Sequence, residues 1–437
     1  MPVGSEWSSA FRRLNQSSFY KVAIYASAED ASTIFFNPAG MTRLQRDELT
    51  FGAHYIVPSS EYSGDATTVF GTSIGGGNGG DAGGGVLVPS LFYAHKIDNQ
   101  LMIGLGVSAP FGLKTEYDDG WEGRYHAIES EVKTANINPS IAYKVNDQLS
   151  LGAGINFMRA SATLSNAVDY STACIGGALS AGAPSVAAAM SACSPYGLAT
   201  PGNPSSDGSV TIKGDSWAYG YNLGLLYELN PDTRFGVAYR SSVKQKLTGT
   251  ANFTAPNATA DAVLGAVLAD TDATATVTLP ASLSLSMTTL VAPQWEVMAD
   301  VTWTGWSSFD ELRVKFDNPL KEDSVQKENW RDTYKASVGF NYHYNTQWTW
   351  RGGVAYDRTP IRNAEDRTPR IPGNSRTWLA LGTSYRASPD MTLDFALAHL
   401  SVAKTDINAT DSSFGHALSG SYDSSVNILS AGLVWQF

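Results

Sequence analysis

The chain of 437 residues holds no run of eighteen apolar residues. A membrane-spanning helix needs about twenty, so helical spans are excluded, and mean hydropathy sits near zero at −0.15. Charge is scarce as well. Asp, Glu, Lys and Arg make up 16% of the chain, against about 25% in ordinary soluble domains. With a formal net charge of −11 and no basic stripe along the sequence, nothing stands ready to neutralise a row of phosphates, and nucleic acid is excluded as a partner. Catalytic signatures are also missing: no G-x-S-x-G, H-E-x-x-H or phosphate loop occurs. The six histidines, His54, His95, His126, His343, His399 and His416, have no nucleophile or metal partner at local spacing. No enzyme, cofactor or metal site is therefore expected. Residues 1–16, MPVGSEWSSAFRRLNQ, do not run in order through the basic start, apolar core and small-residue cleavage site of a secretory signal. For an exported chain the expectation is a leader that was replaced, that lies upstream, or that a different reading-frame start would supply.

What the chain does have is glycine, 41 residues, and aromatic side chains, 11%. They are arranged so that strands sort two faces. In WAYGYNLGLLYEL, residues 217–229, the odd positions Trp217, Tyr219, Tyr221, Leu223, Leu225, Tyr227 and Leu229 are all apolar or aromatic. The even positions are mostly small or polar, and side chains alternate faces along a strand with period two. Aromatic residues crowd both ends of the apolar face, as they do where a strand crosses a bilayer. The pattern returns in Tyr334, Ala336, Val338, Phe340, Tyr342 and Tyr344, and again in Leu429, Ala431, Leu433, Trp435 and Phe437. A terminal Phe on an amphipathic strand resembles the assembly signal of bacterial outer-membrane barrels.

Amphipathic or apolar runs fall at roughly 47–58, 85–97, 100–113, 125–145, 148–166, 209–229, 233–253, 272–291, 294–316, 324–345, 347–362, 370–387, 390–406 and 417–437. That makes fourteen, an even number, as antiparallel closure into a barrel needs. Tight turns with turn chemistry sit at Asp98-Asn99, Asn146-Asp147, Asn230-Pro231-Asp232, Ala292-Pro293, Asn345-Thr346 and Pro389-Asp390. Long links rich in Gly, Ala, Ser, Asn and Thr sit at roughly 59–84, 167–208 and 254–271. Short turns are expected on the periplasmic side and long loops outside. Both cysteines, Cys174 and Cys193, fall in one such loop, where an oxidising compartment allows a structural disulfide. In LMIGLGVSAPFGLKTEY, residues 101–117, Pro110 removes a ladder donor and Gly112 a side chain. Either the ladder breaks there or the strand ends before Ala109.

The element Asn37-Pro38-Ala39-Gly40 inside ASAEDASTIFFNPAGMTRLQR, residues 26–46, resembles the hatch of the FadL family of outer-membrane long-chain fatty-acid and hydrophobic-compound transporters. The likeness continues through WAYGYNLGLLYEL, RFGVAYRSSVK, LPASLSLS, WTGWSSFDEL, WRDTYKASVGFNY and RTWLALGTSYR. It implies an all-β fold: a fourteen-stranded antiparallel transmembrane β-barrel, residues 47–437, plugged by an N-terminal helical hatch, residues 26–46. Residues 1–25 form an atypical segment outside the likeness.

By the same resemblance, Ala109, Pro110, Phe111 and Gly112 form an inward kink of the third strand that opens a lateral gate toward the outer leaflet. Lys327 stands where the family places a head-group lysine. A second cation that some members place at the outer end of strand five has no counterpart in ASATLSNAV, residues 160–168, which offers Asn166. Phe111 and Leu113 are candidates for collecting the ligand, whose burial yields about 0.8 kcal/mol per methylene. The expected function is passive uptake of long-chain fatty acids by a monomer set in outer-membrane lipid and lipopolysaccharide. The alternatives are monoaromatic hydrocarbons by the same route, and a general porin. A porin would need a charge-lined lumen, whereas the lumen reads as small and neutral.

Overall fold

A computed structural model describes residues 26–437, and the atypical segment 1–25 lies outside the described residues. Twenty hydrogen-bonded segments form one sheet. They make up fourteen barrel strands because six strands are interrupted once. In order these are β1 (Glu48–Thr67), β2 (Val86–Lys96), β3 (Leu101–Ser108 and Gly112–Glu116), β4 (Glu129–Lys144), β5 (Leu149–Asp169), β6 (Asp207–Glu228) and β7 (Thr233–Arg240 and Val243–Thr254). There follow β8 (Thr271–Leu279 and Ser282–Ala292), β9 (Trp295–Thr304 and Glu311–Phe316), β10 (Ser324–Lys327 and Thr333–His343), β11 (Trp348–Asp357), β12 (Arg376–Ser388), β13 (Met391–Val402 and Thr405–Thr410) and β14 (Ala417–Gln436). Each strand pairs antiparallel with its sequence neighbours. The sheet closes where β1 meets β14, from Glu48 opposite Gln436 to Thr67 opposite Ala417.

Alternation sets which face is which. Trp217, Tyr219, Tyr221 and Leu223 stand exposed at 62%, 79%, 48% and 48%, a greasy outer surface that suits hydrocarbon. At the short-turn end the C-terminal Phe437 stacks on Tyr93 at 6.2 Å and packs against Trp435 at 5.2 Å. Trp348 with Tyr385 and Trp295 with Tyr342, each pair 4.7 Å apart, extend that aromatic girdle.

The short turns repeat one device, a side-chain oxygen that accepts from two backbone N–H groups just ahead. Asn146 accepts from Gln148 (2.9 Å) and Leu149 (2.8 Å), and Asn345 from Gln347 and Trp348 (both 2.8 Å). Asn230 caps Asp232 and Thr233 in the same way, and Asp98 caps Gln100 and Leu101.

Two expectations need correction. First, β1 runs to Thr67 instead of stopping near 58, because its upper outward positions, Ser59, Glu61, Ser63 and Asp65, stand above the apolar belt and carry no hydrophobic signal. Second, the lumen is not neutral. Its lower half buries Arg234 paired with Glu296 (2.9 Å) and Arg351 between Glu29 (2.9 Å) and Asp394 (3.4 Å). Arg234, Glu296, Arg351 and Asp394 stand singly on separate strands and Glu29 on the segment 26–46, so no local cluster announces them.

Residues 26–46 lie inside this lower half. They form α1 (Thr33–Phe36) and a 3-10 helix, Pro38–Arg43, both almost wholly buried.

Candidate functional site

The interruption in β3 is a matter of counting. Ser108 is opposite Asn136 and Gly112 opposite Lys133, so four steps along β3 meet three along β4. One residue is extra, the mark of a bulge. Thr134 repairs the ladder: its N–H donates to Phe111 O (3.1 Å) and its hydroxyl accepts from Phe111 N–H (2.8 Å). On the other side, β2 pairs with β3 only from Leu91–Val107 to Lys96–Met102, and the upper piece of β3 is paired with β4 alone. A strap crosses above this unpaired stretch. Ala82 N–H donates to Ser60 O (3.0 Å) and Ala82 O accepts from Glu116 N–H (3.1 Å), linking β1 to β3.

Phe111 and Leu113 point inward and are buried, at 3% and 2% exposure. With Gly112, Phe111 lines an apolar pocket that also touches Ala160, Ala162, Leu247, Val277, Trp306 and Phe309. Next to it, sharing Ala162 and Leu247, a second pocket is lined by Leu164, Ile212, Leu312 and Val314. Beyond that, a third is polar, with His126, Asn166, Gln326, Arg370 and Asp411. The inward residues of β5, Ala160, Ala162, Leu164 and Asn166, step through all three. The interior is thus an apolar column topped by a polar chamber.

Sequence reasoning missed both Trp306 with Phe309 and Arg370. Trp306 and Phe309 meet Trp330 edge-on at 5.5 and 5.1 Å. Their signal is the three-residue spacing in Trp306–Ser308, a 3-10 turn that interrupts strand alternation. Arg370 lies between β11 and β12 and reaches back to Ser130 Oγ (2.8 Å), Glu129 O (3.0 Å) and Asn166 Oδ1 (3.2 Å). A cation therefore does sit at the outer end of β5, delivered from a segment about two hundred residues away. Burial pushes its guanidinium down to about 9.

Lys327 is elsewhere. It is exposed and opposite Glu311, while its neighbour Gln326 is opposite the fully buried Leu312. Lys327 thus belongs to the outward face. Asn37, Pro38, Ala39 and Gly40 are all buried, toward the short-turn end. Asn37 caps its own 3-10 helix through Ala39 N–H (3.2 Å) and donates from Nδ2 to Leu225 O of β6 (3.0 Å). The wall gives way to them: a Cβ on Gly224 would lie 2.1 Å from Asn37 Oδ1, and one on Gly152 2.3 Å from Ala39 N.

Above the barrel, Cys174 and Cys193 are bonded, joining α2 (Tyr170–Ser180) to α3 (Val186–Cys193). The outer loops are further pinned by buried Arg124, which meets Asp207 (2.6 Å), Gly75 O and Gly202 O (both 2.8 Å). Among the described residues no group of three His, Cys, Asp or Glu converges as a metal site would require.

A family model described as outer membrane protein transport protein (OMPP1/FadL/TodX) matches residues 23–437. A protein of Neisseria meningitidis serogroup B described as an outer membrane protein is 32% identical over 90% of this chain and 85% of its own length. The long-chain fatty acid transport protein of Escherichia coli O6:H1 is 30% identical over 86% of this chain and 82% of its own. Among solved structures, a Pseudomonas aeruginosa FadL homologue superposes with a TM-score of 0.86 at 26% identity, covering 97% of this chain and 98% of that one. A closed fourteen-stranded barrel with a greasy outer belt, matched over nearly all its length by that family model, makes this chain an integral outer-membrane protein of the OMPP1/FadL/TodX family.

Proposed function

We propose that this protein takes up long-chain fatty acids across the outer membrane without an energy source. The chain would lie in the apolar column and the carboxylate would meet Arg370 in the polar chamber above it. The observation that carries this reading is the inward face of β5, which runs Ala160, Ala162, Leu164 and then Asn166 beside Arg370. An acyl chain gains about 0.8 kcal/mol per methylene on leaving water, and a guanidinium suits a carboxylate by charge and fork geometry. Residues 26–46 act as the hatch in this reading. Exit is sideways, through the unpaired wall between β2 and upper β3 at Ala109, Pro110, Phe111 and Gly112. The ligand opens that route only by binding the open state more tightly.

A second reading, uptake of monoaromatic hydrocarbons, draws support from Trp306 and Phe309 in the pocket wall, with Trp330 packed edge-on behind them. A general porin fits less well, because a buried segment occupies the lower lumen.

The test is binding of a fatty acid and of its methyl ester to purified protein, with Arg370→Gln, Arg370→Lys and Lys327→Ala. A charge-assisted hydrogen bond contributes about 1.5–3 kcal/mol. Arg370→Gln is therefore expected to weaken the acid at least about tenfold and spare the ester, with Arg370→Lys between and Lys327→Ala unchanged. Equal loss of acid and ester, or loss with Lys327→Ala alone, would overturn the Arg370 assignment. Tight binding of toluene but no fatty acid would favour the second reading, and large steady conductance would favour the porin.

A further inference from the structure

No basic stripe exists along the sequence, but the barrel makes one. Lys213 on β6, Lys244 and Lys246 on β7, Lys315 on β9 and Lys327 on β10 are all exposed on the outer face. Pairing register gives their heights. Lys315 is opposite Thr274, which is opposite Thr248, which is opposite Asp215. Lys213, opposite Thr250, stands one outward step above that row, and Lys246, opposite Thr276, one step below it. Lys244, opposite Thr278, is one step lower again. Strand and residue spacings separate neighbouring lysines by roughly 7–15 Å. The lipid-facing aromatics Trp217 and Tyr219 of β6 lie one and two outward steps below that row, level with Lys246 and Lys244, so the patch runs from the upper edge of the aromatic belt to the long-loop side.

Nearby cations are already matched: Lys133 with Glu131 (2.7 Å), Arg159 with Asp215 (3.6 Å) and Arg313 with Glu311 (2.9 Å). Lys213, Lys244, Lys246, Lys315 and Lys327 form no ion pair among the described residues. Between them the outward positions include the exposed threonines Thr248, Thr250 and Thr276, which add hydroxyl donors, and three carboxylates: Asp215 and Glu311, held by Arg159 and Arg313, and Asp272 opposite Thr250. The far wall is the reverse. Apart from exposed Lys404 in the break of β13, β1, β13 and β14 carry no Lys or Arg, and Glu61 is directly opposite Asp423, with Asp65 and Asp406 also exposed.

A net charge of −11 makes five unmatched lysines on one wall a local exception that protein partners inside the chain do not explain. We propose that this face of β6–β10 is a docking surface for the phosphorylated sugar head of lipopolysaccharide in the outer leaflet. The lysines take its phosphates, the threonine hydroxyls its sugar oxygens, and the apolar belt below its acyl chains. The acidic far wall does not take part, so the glycolipid sits on one side of the barrel.

The experiment measures binding of fluorescent lipid A to the detergent-solubilised full-length protein, and then of dephosphorylated lipid A to the same sample. The second probe needs no variant and so is independent of folding. Lys213→Gln/Lys244→Gln/Lys246→Gln/Lys315→Gln is compared with Glu61→Gln/Asp423→Asn, each first checked for an intact barrel by its heat-dependent gel shift. Since each surface lysine contributes modestly toward an anionic lipid head, the lysine variant is expected to bind lipid A at least about tenfold more weakly. Raised salt should weaken the wild type in the same way, and the acidic-wall variant should not lose affinity. Equal binding of phosphorylated and dephosphorylated lipid A, or an unchanged lysine variant, would overturn the proposal.

Discussion

Gly40 has no room for a side chain: a Cβ there would lie 2.1 Å from Thr33 Oγ1 and 2.6 Å from Ala28 Cβ. Gly224 and Gly152 play the same part from the wall. Overpacking a close contact costs about 1–3 kcal/mol, so Gly224→Ala should loosen residues 26–46 before it harms the barrel. Channel recordings check this: the variant should pass more ionic current than the wild type, with the heat-dependent gel shift retained.

His126, in the outer loop after β3, supplies a pH prediction. Burial pushes its imidazole down to about 4, with His416 and Arg370 acting in the same direction and Asp411 against it. Released from that setting it titrates near 6.5. Between those values the opened state binds more protons, so stability falls as pH drops from 6.5 toward 4 and is fully present above 6.5. Hydrogen exchange corrected for its intrinsic rate should therefore quicken in residues 117–128 at pH 5 relative to pH 7. His126→Leu should remove the difference.

Elements differ in what holds them. α2 is anchored by buried Tyr170, Cys174 and Ile175, whereas α3, most of which is exposed, has little else than its staple and cap. Closing a loop with a sequence separation of 19 is worth about 3 kcal/mol in chain entropy. Cys174→Ser with Cys193→Ser should make residues 181–197 sensitive to protease while the barrel melts as before. In β3 the register itself suggests a variant. Deleting Ala109 shortens the 108–112 stretch from four steps to the three that β4 offers, which lets the ladder run through. If the unpaired wall is the exit, uptake of a labelled fatty acid by whole cells should fall to background in that variant, with the amount of folded barrel unchanged. Uptake at the wild-type rate would remove the lateral route.

For the whole molecule, the length of the connections assigns the two sides. α4 (Ala258–Leu264) sits in a long link and Asp147 in a short turn, and both Ala262 and Asp147 are exposed. With both native cysteines bonded, Ala262→Cys should react with an impermeant maleimide on intact cells. Asp147→Cys should react only after the outer membrane is opened.

Period-two alternation, aromatic strand ends and Asn- or Asp-based turns follow from backbone geometry within a few residues, so the sequence by itself determined the number of strands and which face of each turns outward. It also marked the irregularity at Pro110, where an imino acid cannot donate. Pro280 at the break 280–281 and the three-residue spacing of Trp306 and Phe309 at 305–310 are marks of the same kind, whereas nothing marks the break at 241–242, where alternating residues continue on both sides. Lys327 could not be told from a lumen residue until register put it opposite Glu311 and its neighbour opposite Leu312. Arg370 beside Asn166, Trp306 and Phe309 beside Phe111, and the lysines of β6–β10 are far apart along the chain. Only closure of the barrel brings them together, since a strand's register fixes height and face for residues that share no local pattern.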